Sequence, residues 1–345
     1  MTFIYFVLVL SVTIFVHELG HFIFAKRAGI YVYEFCIGMG PRIFKFKRKN
    51  DETEYGIRLF PIGGFCSMAG ESVEVDENVP PEKRMQSKTW LQKFLTIVAG
   101  VMFNFIFAII ILFIIGLING NPNNKPLVQM VDDNSASYTA GLEAGDLIVE
   151  LNGTKIRTID RLMIEYQINY GDPLELTVLR DDTEITLTIN PIESEENPGT
   201  YQYGFALNGS VEKGFFSAIK YAFTKFASLI ETMFITIAYL FTGKLSLSNL
   251  SGPVGIYNIV GQTAQAGFLN VIYLIGYLSI NVGFINLLPI PAFDGGRILF
   301  LIIEKIRRKP INPKVENTIH AVGLVLLMIL MIAITYNDIV RFIIK

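Results

Sequence analysis

Three histidines, two cysteines and one tryptophan are all that this chain of 345 residues holds of those types, and charged residues make up only 17% of it. Cys36 and Cys66 stand far apart and outside any CxxC spacing, which excludes a disulfide framework and leaves two unpaired packing thiols on a reducing side. With 29 basic against 31 acidic residues, a net charge of -2 and no nucleic-acid motif, there is no basic stripe, so a nucleic-acid partner is excluded. No internal repeat is present, which counts against a metal transporter built from repeated halves. The first apolar run lacks a basic leader and a small-residue cleavage site, so it is expected to be a retained helix and not a signal peptide.

What the chain does have is apolar residues, 51% of the total, gathered in blocks. Such blocks mark a multi-pass membrane protein with a soluble part. The runs 3–24, 95–118, 269–293 and 320–344 are each long enough, at about 1.5 Å per residue, to cross a hydrocarbon core of roughly 30 Å. Four spans are expected. Lys26, Arg27, Arg42, Lys45, Lys47, Arg48 and Lys49 follow the first run, and Lys305, Arg307, Arg308, Lys309 and Lys314 follow the third. Lys and Arg concentrate in cytoplasmic loops, so both loops face the cytoplasm and both termini lie outside. A further stretch, 215–241, has spanning length but carries Lys220, Lys225 and Glu231, and a crossing there would reverse the third run. It reads as an amphipathic helix lying in the outer interface.

Two of the three histidines fall in His17-Glu18-Leu19-Gly20-His21, inside the first run. On a helix the i, i+4 spacing stacks both imidazoles on one face, about 6 Å apart, where they can share one metal ion and leave Glu18 beside its water. Ionisable groups in a spanning segment point to function by default. By the same topology Asp294 reaches the inner half of the third run, at the depth of the histidine pair. It follows a break, Asn286-Leu287-Leu288-Pro289-Ile290-Pro291-Ala292-Phe293, in which two prolines interrupt the helical ladder. Such breaks persist inside membranes where they line a site. Gly100 and Asn104, four apart in the second run, read as close helix packing with one interhelical hydrogen bond rather than as catalytic groups.

Between the first two runs, Ile30 to Pro41 is apolar and punctuated by Gly38 and Gly40, a segment expected to dip into the bilayer or lie on it. Residues 43–47 and 54–60 alternate as a hairpin around the polar loop 48–53, and 71–89 is a charged connector. Gly56, Ile57, Arg58 and Leu59 lie on its second strand, and the hairpin reads either as a plain cytoplasmic cap or as a substrate-binding edge. From Asn119 the composition turns polar. Strands at 128–131, 147–151, 174–180 and 184–189, a helical turn at 135–138, a tight turn at Asn152-Gly153 and a helix at 158–170 make a small α+β domain. Its string Ala140-Gly141-Leu142-Glu143-Ala144-Gly145-Asp146-Leu147-Ile148, followed by Asn152-Gly153, resembles a PDZ domain, a module that takes extended peptides at a sheet edge.

With H-E-x-x-H on the first span, N-x-x-P-x-P-x-x-D-G on the third and a PDZ-like domain between the second and third, the whole chain resembles the site-2 proteases, the intramembrane zinc metalloproteases, in their compact bacterial form with one PDZ domain. The resemblance implies that His17, His21 and Asp294 bind Zn2+, that Glu18 is the catalytic acid and base, and that Asn286 engages the substrate backbone, with Pro289 and Pro291 shaping the same substrate-binding break. It also implies that residues 43–60 and 38–41 present the substrate as a membrane-associated β region. The expected fold is a polytopic α-helical membrane protein with four transmembrane helices, a cytoplasmic membrane-associated β-hairpin and one extracytoplasmic PDZ domain. Its parts are a first span (1–25), a cytoplasmic β region and connector (26–93), a second span (94–118), the PDZ domain (119–212), an interfacial helix and loop (213–267), a third span (268–304), a cytoplasmic loop (305–319) and a fourth span (320–345). The expected activity is hydrolysis, in the cell membrane and toward its cytoplasmic side, of single-span membrane proteins already trimmed outside, such as anti-sigma factors or remnant signal peptides. A metal transporter and a catalytically silent PDZ scaffold are the alternatives.

Overall fold

The first helix, α1 (Thr2–Arg27), contains no proline and is built almost wholly of Leu, Ile, Val and Phe until it ends in a defined stop. Gly29 takes a left-handed φ of 66°. It donates to the Lys26 carbonyl while Ile30 donates to that of Ala25, the paired bonds of a Schellman cap. The chain is thereby turned into two long strands, β1 (Val32–Lys47) and β2 (Glu54–Met68). This computed structural model describes residues 1–71, 78–122, 124–194, 197, 199–207 and 211–344; part of the connector expected at 71–89 lies outside them.

The hairpin expected at 43–60 is present, with Phe44 opposite Ile57 and Lys47 opposite Glu54. It is half of a larger sheet. Both strands bend, at Gly38, Gly40 and Gly63, all of positive φ, so residues 34–37 pair with 54–57 on one side and with 64–67 on the other. The segment expected to dip into or lie on the bilayer is thus the inner arm of a four-arm sheet ordered 42–47, 54–58, 34–39, 64–68. Met39, Ile43, Phe44, Phe46, Ile57, Leu59 and Phe60 are all exposed on it. At its root, Val32, Phe35, Cys66 and Met68 pack with Ala25, Ile97, Ile298 and Leu301. Cys36 and Cys66 are buried free thiols, as expected; burial and the Glu34 carboxylate push the Cys36 thiol up to about 11, which keeps it unreactive.

One compact unit comprises residues 1–111 and 247–345, and a second comprises 112–246. In the first, α1 runs beside α2 (Trp90–Asn119) so closely that a side chain on Gly20 would strike the Ala99 carbonyl. The second unit follows the sequence expectation closely in its elements. After β3 (Asn121–Pro122), β4 (Val128–Val131) leads to α3 (Ala136–Thr139), β5 (Leu147–Leu151), β6 (Thr154–Lys155) and α4 (Ile159–Ile168). Then come β7 (Leu174–Arg180) and β8 (Thr183–Ile189), giving a sheet ordered β6-β5-β7-β8. Short strands β9 (Ile192–Glu193) and β10 (Tyr201–Gln202) pair, β11 (Phe205–Leu207) pairs with β4, and β12 (Val211–Glu212) closes on β3.

Helix α5 (Phe215–Thr242) is held to α4 by polar contacts. Lys225 pairs with Asp160, Ser228 donates to the same carboxylate at 2.7 Å, and the Tyr239 hydroxyl donates to Glu165 at 2.6 Å. In the first unit, the segment after α5, expected to be a loop, contains helix α6 (Pro253–Gln265), whose Gly255 N–H is accepted by Asp338 at 2.8 Å. Helix α7 (Phe268–Leu287) ends at the double-proline break, α8 (Asp294–Arg307) begins beyond it, and α9 (Pro313–Ile339) starts seven residues before the expected span. Among the described residues five helices are long and apolar enough to cross a membrane: α1, α2, α5, α7 and α9, the last extended to Phe342.

Candidate metal centre

His17 and His21 lie one turn apart on α1 and are 6% and 7% exposed. Their Nε2 atoms are 3.2 Å apart, and Asp294 Oδ2 lies 3.0 Å from the first and 3.2 Å from the second. Three ligand atoms held about 2.0 Å from a tetrahedral ion stand about 3.3 Å from one another. The triangle therefore has the size of one face of a zinc tetrahedron, with the fourth vertex free. Two imidazoles and a carboxylate are also the donor set of catalytic zinc sites. Asp294 Oδ2 is buried without a hydrogen-bond donor, and a bound cation is what such an oxygen requires.

Each imidazole is oriented from α2. His21 Nδ1 lies 2.9 Å from the Thr96 carbonyl, which fixes the proton there and leaves the Nε2 lone pair facing the cluster, where it could bind a metal. His17 Nδ1 lies 3.5 Å from the Asn104 amide. Because Nε2 faces the cluster, Nδ1 must carry the proton, so the Asn104 group turned toward it is assigned as the carboxamide oxygen. Between these residues stands Gly100, where a Cβ would run into His21 Nε2 and sit 2.8 Å from His17 Cε1. The close helix packing and the interhelical hydrogen bond expected of Gly100 and Asn104 are both present, and both fall on the histidine pair. The missing signal was the match of their four-residue spacing to that of the histidines.

The break before Asp294 is equally specific. Ala292 has a φ of 83°, and side chains on Gly295 or Gly296 would collide with the carbonyls of Leu287, Leu288 and Ile290. The D-G-G string is thus what lets the broken chain fold back on the first turn of α8. A proline kink with Asp294 paired to Arg297 does not describe this site, because Arg297 pairs with Glu71.

Glu18, half-buried, follows His17 on α1 and faces β2, where a Cβ on Gly64 would lie 3.0 Å from its Cγ. Asn286 is half-buried on the last turn of α7, and Pro289 and Pro291 occupy the break. The expectation for Gly56 and Ile57 needs correction. Both are paired on both sides, with 44–45 and with 36–37, and offer no free edge, while Arg58 opposes Arg42. The arm that touches Glu18 is 64–67, whose partners are all in 34–37.

The sequence pattern of peptidase family M50 matches residues 5–330. The chain belongs to that family. It is 34% identical, over 99% of its own length and 98% of the other's, to a Bacillus subtilis protein named Regulator of sigma-W protease RasP. It is 38% identical to a putative zinc metalloprotease of Clostridium perfringens, with 98% of each covered. A zinc metalloprotease RasP of Geobacillus kaustophilus is 32% identical over 98% of this chain and 97% of its own. The protein is a multi-pass membrane zinc metalloprotease with Zn2+ as cofactor, as the motifs implied.

Proposed function

We propose that this chain hydrolyses peptide bonds within the membrane-spanning segments of single-span proteins, with His17, His21 and Asp294 as zinc ligands and Glu18 as the proton carrier. The observation that carries the reading is the triangle of three ligand atoms 3.0–3.2 Å on a side, with Glu18 directly beside it. Zinc, when bound, lowers the pKa of water from 15.7 toward about 7 and polarises a carbonyl. Glu18 takes the proton of the attacking water and hands it to the leaving amine. A helical substrate hides its carbonyls in its own ladder, so it must be drawn into extended form. The outer arm 64–67 replaces the lost hydrogen bonds by strand addition, and Asn286 supplies a side-chain amide to the unwound backbone. Cleavage of a single-span reporter by Glu18→Gln at the parental rate would end this reading. A Phe65→Pro variant should lose cleavage more than Ile57→Pro if the outer arm is the docking edge.

The Bacillus subtilis relative is named a regulator of sigma-W, which supports anti-sigma factors as one substrate class of this chain; remnant signal peptides are proposed as another. The topology proposed has both termini extracytoplasmic, α5 in the outer interface and the site toward the cytoplasm. Lys225, Ser228 and Tyr239 of α5 are occupied by α4 of the polar domain, which supports an interfacial position over a crossing. Cysteines introduced at positions 47 and 308 should then label from the cytoplasm, and those at 155 and 262 from outside, in a variant lacking Cys36 and Cys66. Residues 119–212, read as a PDZ domain, admit substrates already trimmed outside. Exchanging 121–209 for a Gly/Ser linker should speed cleavage of a substrate with an intact ectodomain and leave a trimmed one unchanged.

A further inference from the structure

The third histidine, His320, lies on α9, nearly three hundred positions from the pair on α1. The backbone donors of the break account for it. Pro289 and Pro291 have none. Leu288 donates to the Ile285 carbonyl, Ile290 to Leu288 and Phe293 to Ile290, all local. The one remaining donor, the N–H of Ala292, leaves the break altogether and is accepted by His320 Nδ1 at 3.0 Å. That bond requires a neutral imidazole with its proton on Nε2. Ala292 is also the residue of positive φ, a conformation that an L side chain holds only when its surroundings impose it. One turn along α9, Gly323 makes room for the same loop, since a Cβ there would meet Pro291 and lie 2.8 Å from its carbonyl oxygen. Two positions of α9, His320 and Gly323, thus grip two successive residues of the break. Asp294 comes two residues later, on a helix whose N-cap, Phe293, provides no side-chain cap of its own.

We propose that His320 is a positioning residue for the metal site: by accepting the Ala292 N–H it holds the broken segment in the one conformation that aims Asp294 Oδ2 at His17 and His21. The inference rests on the reading of Asp294 as a ligand. It assigns to α9, most of whose residues face outward, a part in setting metal affinity. It also gives the third histidine a role in which it neither touches substrate nor binds the ion.

The test measures zinc affinity by competition with a chelator, and the visible absorption of the Co2+-loaded protein, on the full chain in detergent for four variants. His320→Leu removes the acceptor at similar volume. His320→Asn restores an acceptor oxygen at about the position of Nδ1. Asp294→Ala removes the ligand, and Gly323→Ala disturbs the grip without touching His320. Loss of an outer-shell partner typically weakens metal binding 10–100-fold. His320→Leu should fall in that range with altered Co2+ bands, His320→Asn should remain within about threefold of the parent, Gly323→Ala should weaken binding in the same direction as Leu, and Asp294→Ala should lose most. If Asp294→Ala weakens binding while His320→Leu keeps parental affinity and spectrum, the positioning role is wrong and the ligand reading survives. The positioning role also fails if Asn is impaired as much as Leu, because packing alone then explains both. Unchanged affinity in Asp294→Ala would overturn the ligand reading itself and the role of His320 with it.

Discussion

Asp146 and Asp294 are both largely hidden carboxylates, and their surroundings could hardly differ more. Asp146, 1% exposed in the polar unit, receives Arg180 Nε on one oxygen at 2.7 Å, and Arg180 Nη2 at 2.7 Å with the Glu143 N–H at 2.9 Å on the other. Every demand of its charge is met by fixed donors. Asp294 faces two imidazole nitrogens, that of His21 an acceptor in the tautomer its Thr96 contact imposes, and its Oδ2 has no donor at all. The first arrangement is complete as a protein; the second has room for a cation. A buried carboxylate surrounded by donors has the setting of a structural group, and one without donors the setting expected of a ligand, as proposed for Asp294.

Four measurements press on that contrast, taken from the largest effect to the smallest. Glu18 lies beside the acceptor cluster without belonging to it, so Glu18→Gln should cut reporter cleavage by about 10⁴-fold, the upper range for a lost general base, while zinc content stays near one per chain. Loss of zinc in that variant would move Glu18 into the ligand set and blur the distinction. Asp294→Ala should weaken zinc by more than the roughly 100-fold upper range of an outer partner, yet change thermal stability of the zinc-free protein little, since no donor is orphaned. Arg180→Met should do the opposite. Removing one half of a buried pair costs about 3 kcal/mol, read as earlier denaturation of the 112–246 unit with zinc affinity untouched. Gly100→Ala should weaken zinc about tenfold by crowding both imidazoles, and Gly100→Ser should be no better.

The same pair carries a pH signature. Burial pushes the Asp146 carboxyl upward, but Arg180 and the Glu143 N–H outweigh it and hold the group below the usual carboxylate range. Because the folded value is the lower one, the stabilisation is present above about pH 4, the unfolded value, and disappears as pH falls through the folded value. Proteolysis of the polar unit should therefore rise only on the acid side, and in Arg180→Met that rise should begin at higher pH.

Sequence alone yielded the parts of the site that depend on local spacing. His17 and His21 are legible because helix periodicity stacks them, and Asp294 because a lone carboxylate follows a double-proline break in an apolar run. The elements of the polar unit were legible for the same reason: 128–131, 147–151 and 174–189 alternate, and Asn152-Gly153 closes a turn at φ values of 48° and 74°. What escaped was every contact made across the chain. Nothing near Gly64 announces that it abuts Glu18. Residues 34–37 are hidden within the glycine-punctuated apolar stretch from Ile30 to Pro41, because a strand paired on both sides need not alternate polar with apolar. His320 gave no sign, because its partner is a backbone N–H, which every residue but proline has.

The proposed ligand set is divided between α1 and α8, and that division orders events during biosynthesis. The histidine pair is made and inserted first, and about 270 further residues must be translated before Asp294 exists. At 5–20 residues per second that interval is roughly 15–55 s. Throughout it a nascent chain holds two of its three proposed zinc ligands and lacks the break, so it cannot digest itself or its neighbours in the translocon. Ribosome-stalled chains ending near residue 290 should accordingly retain little zinc, whereas chains released after residue 307 should retain it.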